Sequence, residues 1–136
     1  MLAIVDSGPL YAAVDADDDD HERSVAVLMR SDLHLVIPTL VVAEVTYLVG
    51  RRLGFRVESR FVSGLAQLAV EAPFPEDWPR IAALVEQYGD FPLGGTDASV
   101  VALAERLNAD TIVTLDRRHF GAIRPQHRGS FLLLPD

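Results

Sequence analysis

Short apolar runs alternate with longer segments of helical spacing along the chain, and this alternation constrains the fold more than any other feature. Because each run is apolar at successive positions, both faces of the strand it forms should be buried. Strands that alternate with helices in this way predict a parallel sheet covered on both sides. We therefore expect an α/β fold, specifically a three-layer α/β/α domain with a central, mostly parallel sheet of four or five strands. The runs are LAIV (2–5), LHLVI (33–37), LAVEAP (68–73), TIVTLD (111–116, a strand with its exit) and FLLLP (131–135).

Local end signals predict where the intervening helices begin and end. Ser7 and Pro9 are typical of a first helical turn, and Pro38 with Thr39 opens a long helix that Gly54 should end. The loop YGDFPLGGT separates the last two long helices. Further helices are predicted at 21–30 (HERSVAVLMR), 55–67 (FRVESRFVSGLAQ), 75–88 and 97–108 (DASVVALAERLN).

Size and composition indicate one globular domain over residues 1–136. The chain is 49% hydrophobic and 24% charged, which is enough apolar material for a buried core. It has no cysteine, so disulfides, a thiol nucleophile and zinc sites built on sulfur are excluded. We expect a cytoplasmic location, since no signal peptide and no apolar stretch of membrane-spanning length is present.

The charge distribution bears on nucleic-acid binding. A net charge of −8 argues against it, but residues 117–128 (RRHFGAIRPQHR) contain no acid. All twelve basic residues of the chain are arginine, the side chain best suited to phosphate. The candidates for RNA phosphate contacts are Arg117, Arg118, Arg124 and Arg128; the alternative is that these side chains serve solubility.

Four separated acids are the candidate catalytic residues. Asp6 and Asp116 follow the first and fourth strands, and the carboxyl ends of parallel strands meet at one edge of a sheet. Asp97 begins a helix, where it can cap the helix and face the same edge. Glu44 interrupts the apolar helix LVVAEVTYLV, where burying a carboxylate is costly unless it is paired or binds a metal.

Four clustered carboxylates would repel one another, and a divalent cation removes that repulsion. Hard oxygen ligands favour Mg²⁺ or Mn²⁺, which hold phosphate oxygens and activate water, so the chemistry predicted is phosphodiester hydrolysis. Simpler explanations remain open for each acid. Asp6 and Asp97 could be helix caps only, Asp116 a turn residue, and Glu44 a solvent-facing side chain.

The sequence resembles the PIN-domain ribonucleases, and among them the VapC-type toxins of bacterial toxin–antitoxin pairs. The resemblance runs over nearly the whole chain, through IVDSGPLYA, IPTLVVAEVTYLV, LGGTDASVVALAERL and TIVTLDRRHF. It implies that the four acids coordinate Mg²⁺ or Mn²⁺ and position water for RNA cleavage. Ser7 and Thr114 match hydroxyl residues beside the first and last acids, which implies supporting hydrogen bonds.

The same resemblance implies a homodimer and a VapB-type antitoxin whose C-terminal segment wraps the toxin. The alternative reading is a non-catalytic PIN-like protein that binds RNA or a partner. Asp90 is a rival for Asp97, but its Gly-Asp-Phe-Pro context is typical of a turn. A phospho-acceptor domain is disfavoured, because such a site normally needs a lysine and the chain has none.

Overall fold

The computed structural model describes residues 1–136 and contains five strands and seven helices. The strands are β1 (Leu2–Val5), β2 (His34–Pro38), β3 (Val70–Glu71), β4 (Thr111–Val113) and β5 (Leu132–Leu134). The helices are α1 (Ser7–Val14), α2 (His21–Leu28), α3 (Thr39–Leu53), α4 (Phe55–Gly64), α5 (Asp77–Gln87), α6 (Gly95–Arg106) and α7 (Arg117–Ala122), with one 3₁₀ turn at Leu65–Gln67.

The five strands form one sheet in the order β3-β2-β1-β4-β5, and every pair is parallel. In the central strand, Ile4 is in register with Val36 on one side and with Ile112 on the other. The predicted α/β class with a parallel sheet is confirmed. From β1 the chain moves to β2 on one side and later returns to β4 on the other. In parallel α/β sheets, ligands generally bind at such a switch in direction, here the carboxyl ends of β1 and β4.

The core lies between the sheet and the helices that flank it. Strand β1 is apolar on both faces because both are covered, and Ala3, Ile4 and Val5 have no solvent exposure. Helix α3 buries a single stripe, formed by Val41, Val45 and Val49 at intervals of four residues. Helix α6 is buried along almost its whole length, which explains its run of alanine and valine. No helix combines the length and the apolar character needed to cross a membrane.

Several elements differ from the sequence-based prediction. Helix α5 begins at Asp77 rather than Pro75, and the Asp77 carboxylate accepts a hydrogen bond from the backbone N–H of Phe74 at 2.9 Å. Helix α6 begins at Gly95, two residues before Asp97. Helix α7 was not predicted, because the pattern RRHFGA is too short to show helical periodicity.

Ion pairs fix α5 against α6. Arg80 donates two hydrogen bonds to the Glu105 carboxylate, at 2.8 and 2.9 Å. Arg106 donates to Asp77 at 2.8 Å, and its guanidinium lies 3.6 Å from the ring centroid of Phe74. Both pairs are largely shielded from water, so they hold the helices more firmly than surface pairs would. Because α6 carries Asp97, this contact also limits where Asp97 can lie.

Candidate active site

Asp6 lies where β1 leaves the sheet. Its backbone N–H still donates to the Val113 carbonyl at 2.9 Å, so β1 and β4 hold it in place. The side chain is buried, at 5% exposure. Its Oδ2 accepts a hydrogen bond from the Thr114 hydroxyl at 2.7 Å, whereas its Oδ1 is buried without any partner.

The surroundings of Asp6 favour its neutral form. Burial is the largest effect and raises the pKa of Asp6; the negative charges of Glu44 and Asp116 raise it further. Hydrogen bonds from Thr114 and from the Ser7 backbone lower it and only partly offset the burial. Without a metal ion, the hydrogen bonds to Asp6 do not fully offset the cost of burying its negative charge.

Thr114 connects two of the acids. It is fully buried, and its hydroxyl donates to Asp6 while accepting from the Asp116 backbone N–H at 2.9 Å. The structure thus gives Thr114 the supporting position that the sequence suggested. The hydroxyl of Ser7 is buried and has no hydrogen-bond partner, so Ser7 acts on Asp6 through its backbone alone.

Asp97 lies in the first turn of α6, but it does not cap the helix. The N-cap is Gly94, and no side chain caps this end. Burial and, to a smaller degree, the charges of Asp6, Asp116 and Glu44 together raise the pKa of Asp97 to about 6, while His119 acts against them. All four predicted acids therefore lie within electrostatic range of one another.

Asp116 is held on both oxygens by one residue of α7. Its Oδ1 accepts from the His119 backbone N–H at 3.0 Å and caps the helix, and its Oδ2 contacts Nδ1 of the His119 ring. The sequence offered a turn residue as the simpler explanation for Asp116, and the structure shows it instead as the N-cap of α7. His119 was not among the predicted site residues. The only sequence signal was its spacing of three residues from Asp116, which is the spacing of a helix cap.

The burial predicted for Glu44 is wrong. Glu44 is exposed, because the buried stripe of α3 runs through Val41, Val45 and Val49 and leaves position 44 on the solvent side. The cost of burial therefore does not explain why a glutamate stands there. Glu44 is nevertheless close to the other acids, since its charge raises the pKa of both Asp6 and Asp97.

Two of the four candidate arginines are bound to the protein itself. Arg117 donates to the carbonyls of Leu133 and Pro135, at 3.3 and 2.9 Å, and so joins α7 to the last strand. Arg124 donates to backbone carbonyls at the end of α7. Their guanidinium groups are already supplied with acceptors, which leaves less of their hydrogen-bonding capacity for RNA.

The other two arginines lie at different ends of the sheet. Arg128 is 4.0 Å from Asp110, which precedes β4, so it lies at the edge opposite the acids. The structure does not bring Arg128 to the site. Arg118, two residues after Asp116, is exposed and forms no ion pair or hydrogen bond with the protein. The rival acid Asp90 is exposed in the turn after α5.

The chemistry of the donor set fits a hard divalent cation. The acids offer carboxylate oxygens, and Asp6 Oδ1 is a buried oxygen without a partner, which a cation would satisfy. The side chains do not form a ready-made site, however, since no three histidine, aspartate or glutamate groups converge on one point.

The profile of the PIN domain matches residues 3–124. The chain belongs to the PIN-domain family. Within this family it is 38% identical over 134 residues to Ribonuclease VapC26 of Mycobacterium tuberculosis, an alignment that covers 97% of this chain and 99% of that protein. The resemblance inferred from the sequence motifs is thereby confirmed.

Solved structures share the fold at low sequence identity. VapC20 of Mycobacterium tuberculosis, described as a sarcin-ricin loop cleaving toxin, matches with a TM-score of 0.74 and 16% identity, over 81% of this chain and 86% of that one. VapBC2 from Rickettsia felis, bound to a DNA fragment from its promoter, matches with a TM-score of 0.70 and 18% identity, over 98% and 97%. FitAcB from Neisseria gonorrhoeae matches with a TM-score of 0.60 and 18% identity, over 88% and 91%.

Proposed function

We propose that this PIN-domain chain is a divalent-metal-dependent endoribonuclease and the toxin of a type II toxin–antitoxin pair. The observation that carries the proposal is the cluster of carboxylates at the carboxyl ends of β1 and β4. Asp6 keeps a buried oxygen without a partner there, and burial together with the neighbouring acids raises the pKa of Asp97 to about 6. Such an arrangement is unfavourable without a cation and suits one that binds phosphate.

Each acid has a distinct part in this proposal. Asp6 and Asp97 would hold the ion, because neither has its oxygens fully occupied by hydrogen bonds. Asp116, whose oxygens both contact His119, presents a fixed carboxylate to it, and exposed Glu44 turns in from α3. Bound Mg²⁺ or Mn²⁺ supplies charge neutralisation and a more acidic water for attack on the phosphodiester. The substrate class is supported by the 38% identity to a ribonuclease.

The proposal predicts metal-dependent cleavage. Purified chain is expected to cut end-labelled RNA in Mg²⁺ or Mn²⁺ and to leave it intact in EDTA, with activity restored when the metal is returned. The same ions should raise the unfolding midpoint of the native chain, since a ligand at 100 times its Kd adds about 2.7 kcal/mol. A folded chain that leaves RNA intact with either metal would be the non-catalytic RNA- or partner-binding protein considered above.

We also propose a VapB-type antitoxin as the partner, a homodimer as the assembly and the cytoplasm as the compartment. One of the solved structures of the same fold is VapBC2, which is bound to a DNA fragment from its promoter. Large apolar side chains on α3 and α4 lie exposed and would be covered by a second chain, namely Tyr47, Phe55 and Val62. The compartment follows from the proposed substrate, because cellular RNA is present there.

Co-expression tests the partner. When the neighbouring open reading frame is expressed with a tagged form of this chain, a small protein is expected to co-purify and to suppress RNA cleavage. Light scattering on the chain alone reports the dimer. A chain that purifies alone and keeps its full activity in the presence of the neighbouring product would contradict the antitoxin proposal.

A further inference from the structure

Arg118 differs from the other arginines of the basic segment. Its side chain is exposed on α7, and no carbonyl or carboxylate of the protein accepts a hydrogen bond from it. Arg118 contacts an aromatic ring instead, since its guanidinium carbon lies 5.5 Å from the ring centroid of Phe91. That distance is within the range of a cation–π interaction, which orients a guanidinium without using its N–H donors.

Phe91 joins Arg118 to the acidic cluster. The ring of Phe91 also packs edge-on against the ring of His119, with centroids 4.8 Å apart and planes at 71°. His119 in turn contacts Asp116 through both its backbone and its ring. Phe91 therefore contacts two side chains: His119, which holds Asp116, and Arg118, whose guanidinium has no acceptor in the protein.

The turn that carries Phe91 is held in place from two sides. The backbone N–H of Phe91 donates to the Tyr88 carbonyl at 3.0 Å, and Leu93 is buried at the end of the turn. The Tyr88 hydroxyl accepts from the Arg124 backbone N–H at 3.1 Å, which ties the turn to the segment after α7. The backbone that carries Phe91 is thus held on both sides.

The charges around the acidic cluster suggest a role for the contact between Arg118 and Phe91. RNA brings a row of phosphates to a group of acids, and no arginine forms an ion pair with Asp6, Asp97 or Asp116. A cation beside the cluster would offset this repulsion for the phosphates that are not being cleaved. Arg118 has its N–H donors free and is connected to Asp116 through Phe91 and His119, so it can meet this need.

We propose that Arg118 and Phe91 form a phosphate subsite for the nucleotide next to the cleaved bond, an inference that rests on the proposed ribonuclease function. Arg118 contacts the phosphate. Phe91 is a positioning residue whose ring contacts both the Arg118 guanidinium and His119. Loss of the Arg118 charge should weaken RNA binding more than loss of the Phe91 ring. The first change removes the phosphate contact, whereas the second only makes the guanidinium less well oriented.

The test measures binding of RNA without cleavage. A fluorescein-labelled single-stranded RNA of roughly ten nucleotides is titrated in Mg²⁺ with chains that carry Asp97→Asn, at several salt concentrations. Arg118→Ala is expected to weaken binding about tenfold and to lower the slope of log K against log salt by about 0.7. Arg128→Ala, a matched change at the opposite edge of the sheet, should leave both quantities unchanged. Phe91→Leu should weaken binding about threefold with the salt slope unchanged, because no charge is lost.

A double variant separates positioning from general structural support. If Phe91 acts through Arg118, Phe91→Leu has no further effect on binding in a chain that already carries Arg118→Ala. Equal binding by the Arg118→Ala and Arg128→Ala chains would overturn the subsite, and an undiminished Phe91 effect in the double variant would overturn the positioning role. Cleavage of the same RNA by the unmodified chain tests the ribonuclease function separately. A negative result in the binding assay can therefore be distinguished from a negative result in the cleavage assay.

Discussion

Replacing Asp97 with asparagine is expected to reduce RNA cleavage at least about a hundredfold and, at the same time, to make the metal-free chain more stable. Outer partners of metal sites alone cost 10–100-fold in activity or metal affinity when mutated, and Asp97 is proposed to hold the ion directly. Asparagine keeps the shape of the side chain but removes its charge. The opposite signs of the two effects distinguish a functional carboxylate from a structural one.

The stability gain follows from the direction of the pKa shift. Asp97 has a pKa of about 6 in the folded chain against 3.8 in the reference state, so the folded state binds this proton more tightly. The stabilisation is fully present below pH 3.8 and is lost as the pH rises through 6. At pH 7 without metal, removal of the charge should therefore stabilise the chain, by about 1 kcal/mol after allowance for solvent screening.

Urea unfolding in EDTA at pH 5 and pH 7, with RNA cleavage in Mg²⁺, measures both effects of Asp97→Asn. The matched control is Asp90→Asn, which removes an exposed acid in the turn before α6 and should leave cleavage and stability unchanged. Native-like cleavage by the Asp97→Asn chain would remove Asp97 from the active site. Lower stability of that chain at pH 7 would show that the carboxylate has a structural partner.

Thr114→Val is expected to have the second largest effect, because one hydroxyl serves two of the acids. Valine has nearly the same shape but would remove the hydrogen bond to the buried Asp6 Oδ2 and would leave the Asp116 N–H without its acceptor. A buried polar group left without a partner costs about 1–3 kcal/mol. We also expect RNA cleavage to fall by about 10–100-fold, since both acids lose their orientation.

Thr114→Ser is the control for that change, since it keeps the hydroxyl and removes only a methyl group. Urea denaturation in EDTA gives the loss of stability, and cleavage of labelled RNA at saturating Mg²⁺ gives the loss of activity. The hydrogen-bond argument requires the serine variant to stay close to the native chain in both assays. If serine and valine variants lose the same amount, the packing of the methyl group matters and the hydroxyl does not.

The edge of the sheet where the acids meet was predictable from the sequence. Asp6 and Asp116 follow apolar strands, and parallel strands place their carboxyl ends together, so no tertiary contact was needed to join them. The orientation of Glu44 was not predictable in the same way. The run LVVAEV is apolar on several sides, and only the packing of α3 against its neighbours selects Val41 and Val45 as the buried positions.

The environment of each charged group also depended on the tertiary structure. The arginines of residues 117–128 look equivalent in sequence, yet Arg117 is bound to the carbonyls at the end of β5 and Arg128 lies beside Asp110 at the far edge. Arg118 alone lies over the ring of Phe91, a residue 27 positions earlier in the chain. Contacts across such separations leave no local periodicity by which a sequence pattern could reveal them.

The sequence by itself determined the α/β class, the family and the acids that gather at one edge, because strand period and chain order follow from local residue patterns. Only the tertiary structure decided how each acid is held. Asp6 keeps an unpartnered oxygen, Asp116 is occupied by His119, and Asp97 remains uncapped with a raised pKa. The physical reason is that burial, hydrogen-bond partners and electric field are properties of neighbours in space, and those neighbours come from distant parts of the chain.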